Sequence, residues 1–265
     1  MHKRLDAYRA IAALAPKHYL AYQVWVWTDW FTSAIGMTIM LFFWRGIYAN
    51  SPTVAGLDFN QTITYILLAQ ILVGVTYSSL ILNAGYMIRE GMIAIELLRP
   101  VDFQAQRYTY ALAELGVALL VRLPILGLAL LYGLRLPSDP LAWGCFAVSL
   151  LLGQSILFMF EWLLAALCFY TTEVWGLYML NYGLMLFLSG SVLPLVMLPD
   201  AVEIIVRNLP YAQALFVPLS FLSGITPVQD APQVWLQQAI WLVGLWALSR
   251  WVFRTAARKI TVQGG

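Results

Sequence analysis

Histidine, cysteine and lysine are scarce in this chain of 265 residues, and their scarcity excludes several kinds of active site. The only histidines are His2 and His18, so the His-Glu-x-x-His pair of zinc peptidases is absent. No Gly-x-Ser-x-Gly elbow of a serine hydrolase is present either. Cys145 and Cys168 lie far apart in the sequence and form no metal-ligand spacing. We therefore expect neither a catalytic site nor a metal site in this chain.

The lysines also exclude a nucleotide site of the P-loop type. A P-loop requires Gly-Lys-Ser/Thr, in which the lysine reaches the phosphates. The lysines of this chain are Lys3, Lys17 and Lys259, and none of them follows a glycine. We therefore expect no ATP, and no other cofactor, to bind to this chain itself.

Charge is the next scarcity, because only 11% of the residues are charged whereas soluble proteins have about 25%. Apolar residues make up 62% of the chain, and the mean hydropathy is +0.77. This composition is typical of a protein embedded in a membrane. The net charge of +2 gives no indication of a nucleic-acid partner.

Long apolar runs account for most of the hydropathy. A run of about 20 apolar residues is long enough to cross a hydrocarbon core as a helix. Isolated strands would leave backbone polar groups unpaired in lipid, so these runs predict helices. The prediction is an all-α polytopic membrane protein, one transmembrane domain over residues 1–265 with six spans, at about 22–48, 61–83, 109–133, 141–170, 176–198 and 233–255.

Basic residues predict the orientation of these spans, because cytoplasmic loops carry an excess of lysine and arginine. With six spans, three basic groups fall on one face: Lys3, Arg4, Arg9 and Lys17; Arg89, Arg99 and Arg107; Arg254, Arg258 and Lys259. The opposite loops carry only Arg135 and Arg207. Both termini are therefore expected to be cytoplasmic.

Three segments lie outside the predicted spans. Residues 1–21 form a cytoplasmic or interfacial segment, in which 3–15 predict either an amphipathic helix on the inner surface or a frayed tail. Residues 84–108 form a cytoplasmic loop. Residues 199–232 contain Pro199, Pro210 and Gly224, which delimit two stretches too short to cross. We expect a pair of short helices dipping into the outer leaflet, with a simple extracytoplasmic loop as the alternative.

Charged residues inside the predicted spans are functional candidates, and four of them are good ones. They are Asp29, Glu114, Arg122 and Glu161. Arg122 and Glu161 differ in predicted depth by only about 6 Å, which favours an ion pair between spans three and four. A second interpretation is that all four form the polar site of an ion-coupled secondary transporter.

A charged, half-apolar segment interrupts the apolar runs at residues 88–101. In a helix, Ile88, Met92, Ile93, Leu97 and Leu98 share one face, which we expect to lie against the bundle. The opposite face would then present Arg89, Glu90, Glu96 and Arg99 to a cytoplasmic partner. A simple turn helix with a solvated face is the alternative.

This segment also carries a family resemblance. Residues 89–101 read Arg-Glu-Gly-Met-Ile-Ala-Ile-Glu-Leu-Leu-Arg-Pro-Val and resemble the inner loop of type-2 ABC exporter permeases, in which a glycine and a small helix precede Leu-Leu-Arg/Lys-Pro-Val/Ile. A second match is Leu-Ser-Gly-Ser-Val-Leu-Pro at 188–194, followed by Leu-Pro at 198–199 and Asn-Leu-Pro at 208–210.

The resemblance implies a permease subunit powered by a separate ATPase. Two copies of that ATPase would bind ATP and Mg²⁺ and would dock on a coupling helix, whose residues here are Arg89, Glu90, Gly91, Glu96, Leu98, Arg99 and Pro100. A second permease chain, identical or related, would complete the pathway within the lipids of a bacterial inner membrane. The outer gate would include Gly190, Pro194, Pro199 and Pro210.

The sequence does not select one class of substrate. Drugs, lipids, peptides and polysaccharides are all exported by such families, and an amphipathic or hydrophobic substrate is expected here. Besides the secondary transporter, a membrane-embedded assembly or receptor protein without transport is a third interpretation.

Overall fold

The computed structural model describes residues 2–76, 79–171 and 173–257. The expectations for Arg258 and Lys259 therefore lie outside the described residues. Fourteen α-helices are described: α1 His2–Ala12, α2 Leu14–Ala21, α3 Gln23–Tyr48, α4 Phe59–Thr76, α5 Leu80–Arg89, α6 Ile93–Leu97, α7 Phe103–Val121, α8 Leu123–Leu131, α9 Pro140–Leu167, α10 Val174–Leu188, α11 Asp200–Arg207, α12 Pro210–Ala214, α13 Phe216–Leu222 and α14 Ala231–Ala257.

A two-residue hairpin is the sheet structure in the described part of the chain. Strands β1 (Thr53–Val54) and β2 (Leu57–Asp58) are antiparallel, with Thr53 opposite Asp58. They connect the end of α3 to the start of α4. The architecture is otherwise helical, as the apolar runs predicted.

Among the described helices, three candidate spans are long and apolar enough to cross a membrane: Gln23–Tyr48, Phe59–Arg89 and Pro140–Leu167. The second candidate contains α4 and α5, and the described residues leave out 77 and 78 between them. A fourth candidate is α7 with α8, which are bent by 43°. The prediction of six spans is met only in part, because α10 has just 15 residues. Helix α14 has 27 residues, but three glutamines reduce its hydropathy.

Local sequence signals explain where the helices begin and bend. Asp102 and Asp139 precede α7 and α9, and their carboxylates accept hydrogen bonds from the first-turn amides of Ala105 (2.8 Å) and Leu141 (2.9 Å). Pro124 lacks an amide proton and crowds the preceding turn, so the predicted third span breaks at Arg122.

Helix α9 lies at the centre of the bundle. Helices α5, α12, α13 and α14 all pack against it, and most of its inward-facing residues from Ser149 to Ala166 are buried. Helices α1 and α2 lie along α7, so part of the N-terminal segment packs on the bundle as helix. By contrast, α3 buries only Met37, Leu41 and Trp44.

The connection between α10 and α14 folds back into the bundle. Helix α11 lies between Pro199 and Pro210, and the second predicted stretch is divided into α12 and α13 at Leu215. Every residue from 210 to 223 is buried. Most of α12 and α13 packs on α9, and α13 also contacts α4.

Candidate functional site

The segment between α5 and α7 contains a short helix held by two turns. Gly91 follows α5 with a φ of +74°, a left-handed conformation that costs glycine little and other residues more. Helix α6 then runs for five residues, Ile93–Leu97, before the turn at Pro100. Of the residues expected in the coupling segment, Arg89, Glu90, Leu98, Arg99 and Pro100 are all exposed.

The apolar side chains of this segment do not all face the bundle. Ile93 is 1% exposed and packs with Ile88, as expected. Met92, Leu97 and Leu98 were predicted to share that face, but they are exposed, Leu98 by 85%. The prediction of a single buried face is wrong because α6 is too short, and its flanking turns reset the helical periodicity. The structure thus presents an exposed apolar surface that consists of Met92, Ile95, Leu97 and Leu98.

The charges around this surface are partly engaged with each other. Arg99 Nη1 lies 3.0 Å from Glu96 Oε2, one turn away. The Arg89 guanidinium lies 5.7 Å from the centre of the Tyr86 ring. A mixed surface results, in which exposed leucine, isoleucine and methionine side chains are bordered by arginine.

An ion pair joins the loop to the last helix. Arg250 Nη1 donates to Asp102 Oδ2 at 2.6 Å. Partial burial raises the pKa of Asp102, but the Ala105 amide and the Arg250 guanidinium lower it more, so this pKa lies below its usual range. The ion pair therefore attaches the start of α7, where the loop ends, to α14.

Arg122 is one of the four predicted intramembrane charges. Arg122 is 5% exposed, and its guanidinium forms an ion pair with Asp29 of α3. It also donates to the Ile71 carbonyl at 3.3 Å. The sequence predicted Glu161 as its partner, and that prediction is wrong. Arg122 and Glu161 were paired because their predicted depths match. The helix break at Arg122 instead directs the Arg122 side chain toward α3 and α4.

A glycine makes room for this ion pair. A Cβ atom at Gly74 would lie 1.6 Å from Arg122 Nη2, so the guanidinium occupies the space that a side chain would fill. Gly74 belongs to α4, and Arg122 therefore reaches across α4 to α3. This close approach had no recognisable signal in the sequence.

Two neighbouring cavities contain all four predicted charges. A cavity of about 410 Å³ is lined by Asp29, Glu114 and Arg122. A smaller one, about 60 Å³, is lined by Glu114 and Glu161. Glu114, Gly74 and Tyr19 belong to both linings. The structure therefore brings the four residues into one region, in which Glu114 lines both the cavity of Asp29 and Arg122 and the cavity of Glu161.

Glu161 takes part in a series of buried polar contacts that leads to α12. Helices α11, α12 and α13 fold back into the bundle and are termed the re-entrant helices for that reason. Asn181 of α10 donates to Glu161 Oε1 at 3.3 Å. Tyr211 of α12 in turn donates its hydroxyl proton to Asn181 Oδ1 at 2.8 Å. These two hydrogen bonds connect α9, α10 and α12 through buried side chains.

Three glutamines bind the broken backbone of the re-entrant helices, and sequence reasoning missed them. Gln154 donates to the Ala214 carbonyl at 3.2 Å, and Gln238 donates to the Gln213 carbonyl at 3.3 Å. Gln213 donates to the Arg207 carbonyl at 2.8 Å. Backbone groups freed by a helix break must find partners inside a membrane protein. Glutamines inside apolar runs were the available signal.

The residues predicted for the outer gate surround the same segment. Gly190 lies two residues after the end of α10, and its carbonyl accepts a hydrogen bond from the Tyr65 hydroxyl at 2.8 Å. Pro194 precedes a 3-10 turn, Pro199 precedes α11, and Pro210 is the first residue of α12. The structure thus places all four at turns or helix starts between α10 and α12, and their gating role stays a prediction.

The comparison with known families decides what kind of protein carries these features. The family model described as ABC-2 family transporter protein matches residues 34–264. The chain belongs to this family. The match covers α4 to α14 and most of α3. No curated protein and no solved structure matches the chain.

Membership of the ABC-2 family confirms the resemblance noted in the loop and in the fifth predicted span. It makes the chain a transporter component with apolar membrane helices, and it does not favour the ion-coupled interpretation. In the part of this ABC-2 chain that the structure describes, no group of three metal-ligating side chains is present.

Proposed function

We propose that this chain is the permease subunit of an ATP-driven exporter, powered by a separate cytoplasmic ATPase. The exposed apolar surface of Met92, Ile95, Leu97 and Leu98 carries the proposal. It lies on α6 and its two flanking residues, in the loop that the predicted topology places on the inner face, and the sequence contains no P-loop. Apolar side chains bordered by arginine are typical of a protein interface.

The proposed complex contains two copies of the ATPase, each binding ATP and Mg²⁺, and a second permease chain, identical or related. The sparsely buried helix α3 supports a further chain or lipid beside it, since Trp25, Phe31, Ile39 and Phe42 are exposed. The substrate moves outward through the interface between the permeases, past a gate that includes Gly190, Pro194, Pro199 and Pro210. A bacterial inner membrane is the proposed location.

Leu98→Asp tests the docking surface. The change places a charge on an exposed apolar side chain, so we expect the chain to fold normally but to lose stimulation of the ATPase. Leu98→Met is the matched control, because it preserves an apolar side chain of similar volume. Gly91→Arg is expected to have the same effect, but it also strains a backbone with positive φ.

The measurement is ATP hydrolysis by the purified complex in lipid nanodiscs, with co-purification of the ATPase as a second readout. Loss in Leu98→Asp together with retention in Leu98→Met supports the proposal. Normal stimulation in Leu98→Asp contradicts it. Transport that requires an ion gradient, and proceeds without ATP, would instead support the secondary transporter.

A further inference from the structure

The cavity of about 410 Å³ has a size that suits a small organic molecule, since such sites are commonly about 300–1,000 Å³. It lies where the α2–α3 junction meets α4 and α7. Its lining combines a cluster of aromatic side chains with the charged groups Asp29, Glu114 and Arg122. The aromatic side chains and the charged groups together determine which kind of ligand the cavity can bind.

Aromatic rings form one wall of this cavity. The wall consists of His18, Tyr19, Tyr22 and Trp25. The His18 and Tyr22 ring centres lie 5.0 Å apart, so the rings form a cluster. Tyr22 is 54% exposed and Trp25 is 70% exposed, which leaves ring surface free for contact. The faces of such rings attract organic cations.

The charges of the cavity also favour a cation. Asp29 and Glu114 contribute two carboxylates and Arg122 one guanidinium, so the lining has a formal charge of −1 with His18 neutral. Arg122 is buried and engaged with Asp29, and it offers little to an anion. Glu114 forms no ion pair and no hydrogen bond with the described residues, and its carboxylate is available to a ligand.

We propose that this cavity binds lipophilic monovalent cations, with the charge near Glu114 and the apolar body against the aromatic wall. The inference deepens the proposed export function, on which it rests for its physiological meaning, because it names the class of substrate. The cavity lies beside the first two turns of α3 and the end of α4, which the predicted topology places toward the cytoplasm, and this position suits a molecule collected from the inner leaflet.

The test compares two ions of matched shape and opposite charge, tetraphenylphosphonium and tetraphenylborate. Binding to the purified chain in nanodiscs is measured by equilibrium dialysis, with empty nanodiscs as the baseline. We expect saturable binding of tetraphenylphosphonium alone. Equal binding of both ions, or of neither, overturns the proposal.

Two pairs of variants locate the site. Glu114→Gln is expected to weaken tetraphenylphosphonium binding about tenfold, since it removes the charge that faces the ligand. Glu173→Gln is the control, because Glu173 is an exposed carboxylate that does not line the cavity, and it is expected to leave binding unchanged.

Trp25→Ala is expected to weaken binding about threefold to tenfold. Its control is Trp27→Ala, because Trp27 is similarly exposed at 64% and lies on the same helix outside the cavity.

A folding defect in Glu114→Gln is recognised by Glu114→Asp, which keeps the charge and is expected to restore binding. Unchanged affinity in both Glu114→Gln and Trp25→Ala overturns the proposed site. These measurements contain no ATPase and no ATP. A failure to bind cations therefore leaves ATP-driven export standing, and a loss of ATPase coupling leaves cation binding standing.

Discussion

At the scale of single residues, Arg122 depends on three features that lie far apart in the sequence. Pro124 breaks the helix beside it, Gly74 leaves space for its guanidinium, and Asp29 supplies the opposite charge. A buried charge without its partner is costly, because desolvation is no longer offset. The ion pair therefore couples α3, α4 and α7 energetically.

We expect Asp29→Asn to destabilise the chain by about 2–4 kcal/mol, because it leaves the buried Arg122 guanidinium without its carboxylate. Adding Arg122→Met should recover much of the loss, since both charges are then absent. The measurement is a double-mutant cycle on the thermal unfolding of the purified chain, and size-exclusion chromatography after heating reports the fraction that stays folded.

The same cycle with Glu161→Gln in place of Asp29→Asn is the control for this prediction. Changes without shared partners usually add. Glu161 interacts with Asn181, so its coupling to Arg122 should be much smaller than that of Asp29. A larger coupling for Glu161 would contradict the ion pair seen here.

At the scale of elements, the close approach of α12 to α9 determines how the re-entrant segment is held. A Cβ atom at Gly153 would lie 2.0 Å from the Gln213 carbonyl oxygen, so only glycine allows the two backbones to meet there. Gln154 and Gln238 then reach the freed carbonyl groups of Ala214 and Gln213. The helix break is thus stabilised by its neighbours.

Gly153→Ala should lower the free energy of unfolding by about 1–3 kcal/mol, because the added methyl group overlaps with the α12 backbone. Gly144→Ala is the matched control on the same helix, where nothing lies within 4 Å of an added Cβ. The measurement is the unfolding temperature of both variants. Equal temperatures, or a larger loss at Gly144, would show that α12 does not approach α9 as described.

At the scale of the whole molecule, the prediction of six spans places alternate loops on opposite sides of the membrane. Introduced cysteines test this in a background in which Cys145 and Cys168 are alanine. Thr53→Cys and Ser138→Cys should react with a membrane-impermeant maleimide in intact cells. Leu98→Cys and Glu173→Cys should react only after the membrane is opened. Positive residues retain the loop of Leu98 inside, and two predicted spans separate it from the loop of Glu173.

All four positions are exposed in the structure, so differences in labelling report the side of the membrane. Labelling of residues 53 and 98 from the same side would exclude a span between them. Labelling of residues 138 and 173 from the same side would exclude α9 as a membrane span. Either result would contradict the predicted topology.

Many features of the fold could be predicted from the sequence. The apolar runs predicted helices, the Gly91 to Pro100 pattern predicted a short helix between turns, and Pro199 and Pro210 delimited α11. The partner of Arg122 and the exposed face of α6 were predicted wrongly. Both depend on side-chain directions that change at a helix break or a turn, and a periodic pattern does not report such changes.

The sequence by itself determined that this is a helical protein with long apolar segments and no P-loop motif, because apolar stretches and motifs are local properties. It also carried the signature of the ABC-2 family. Only the tertiary structure decided that Arg122 reaches Asp29 across Gly74, that Glu114 faces an aromatic cavity, and that α12 rests on Gly153. These are contacts between residues distant along the chain, and packing of the helices alone determines which of them meet.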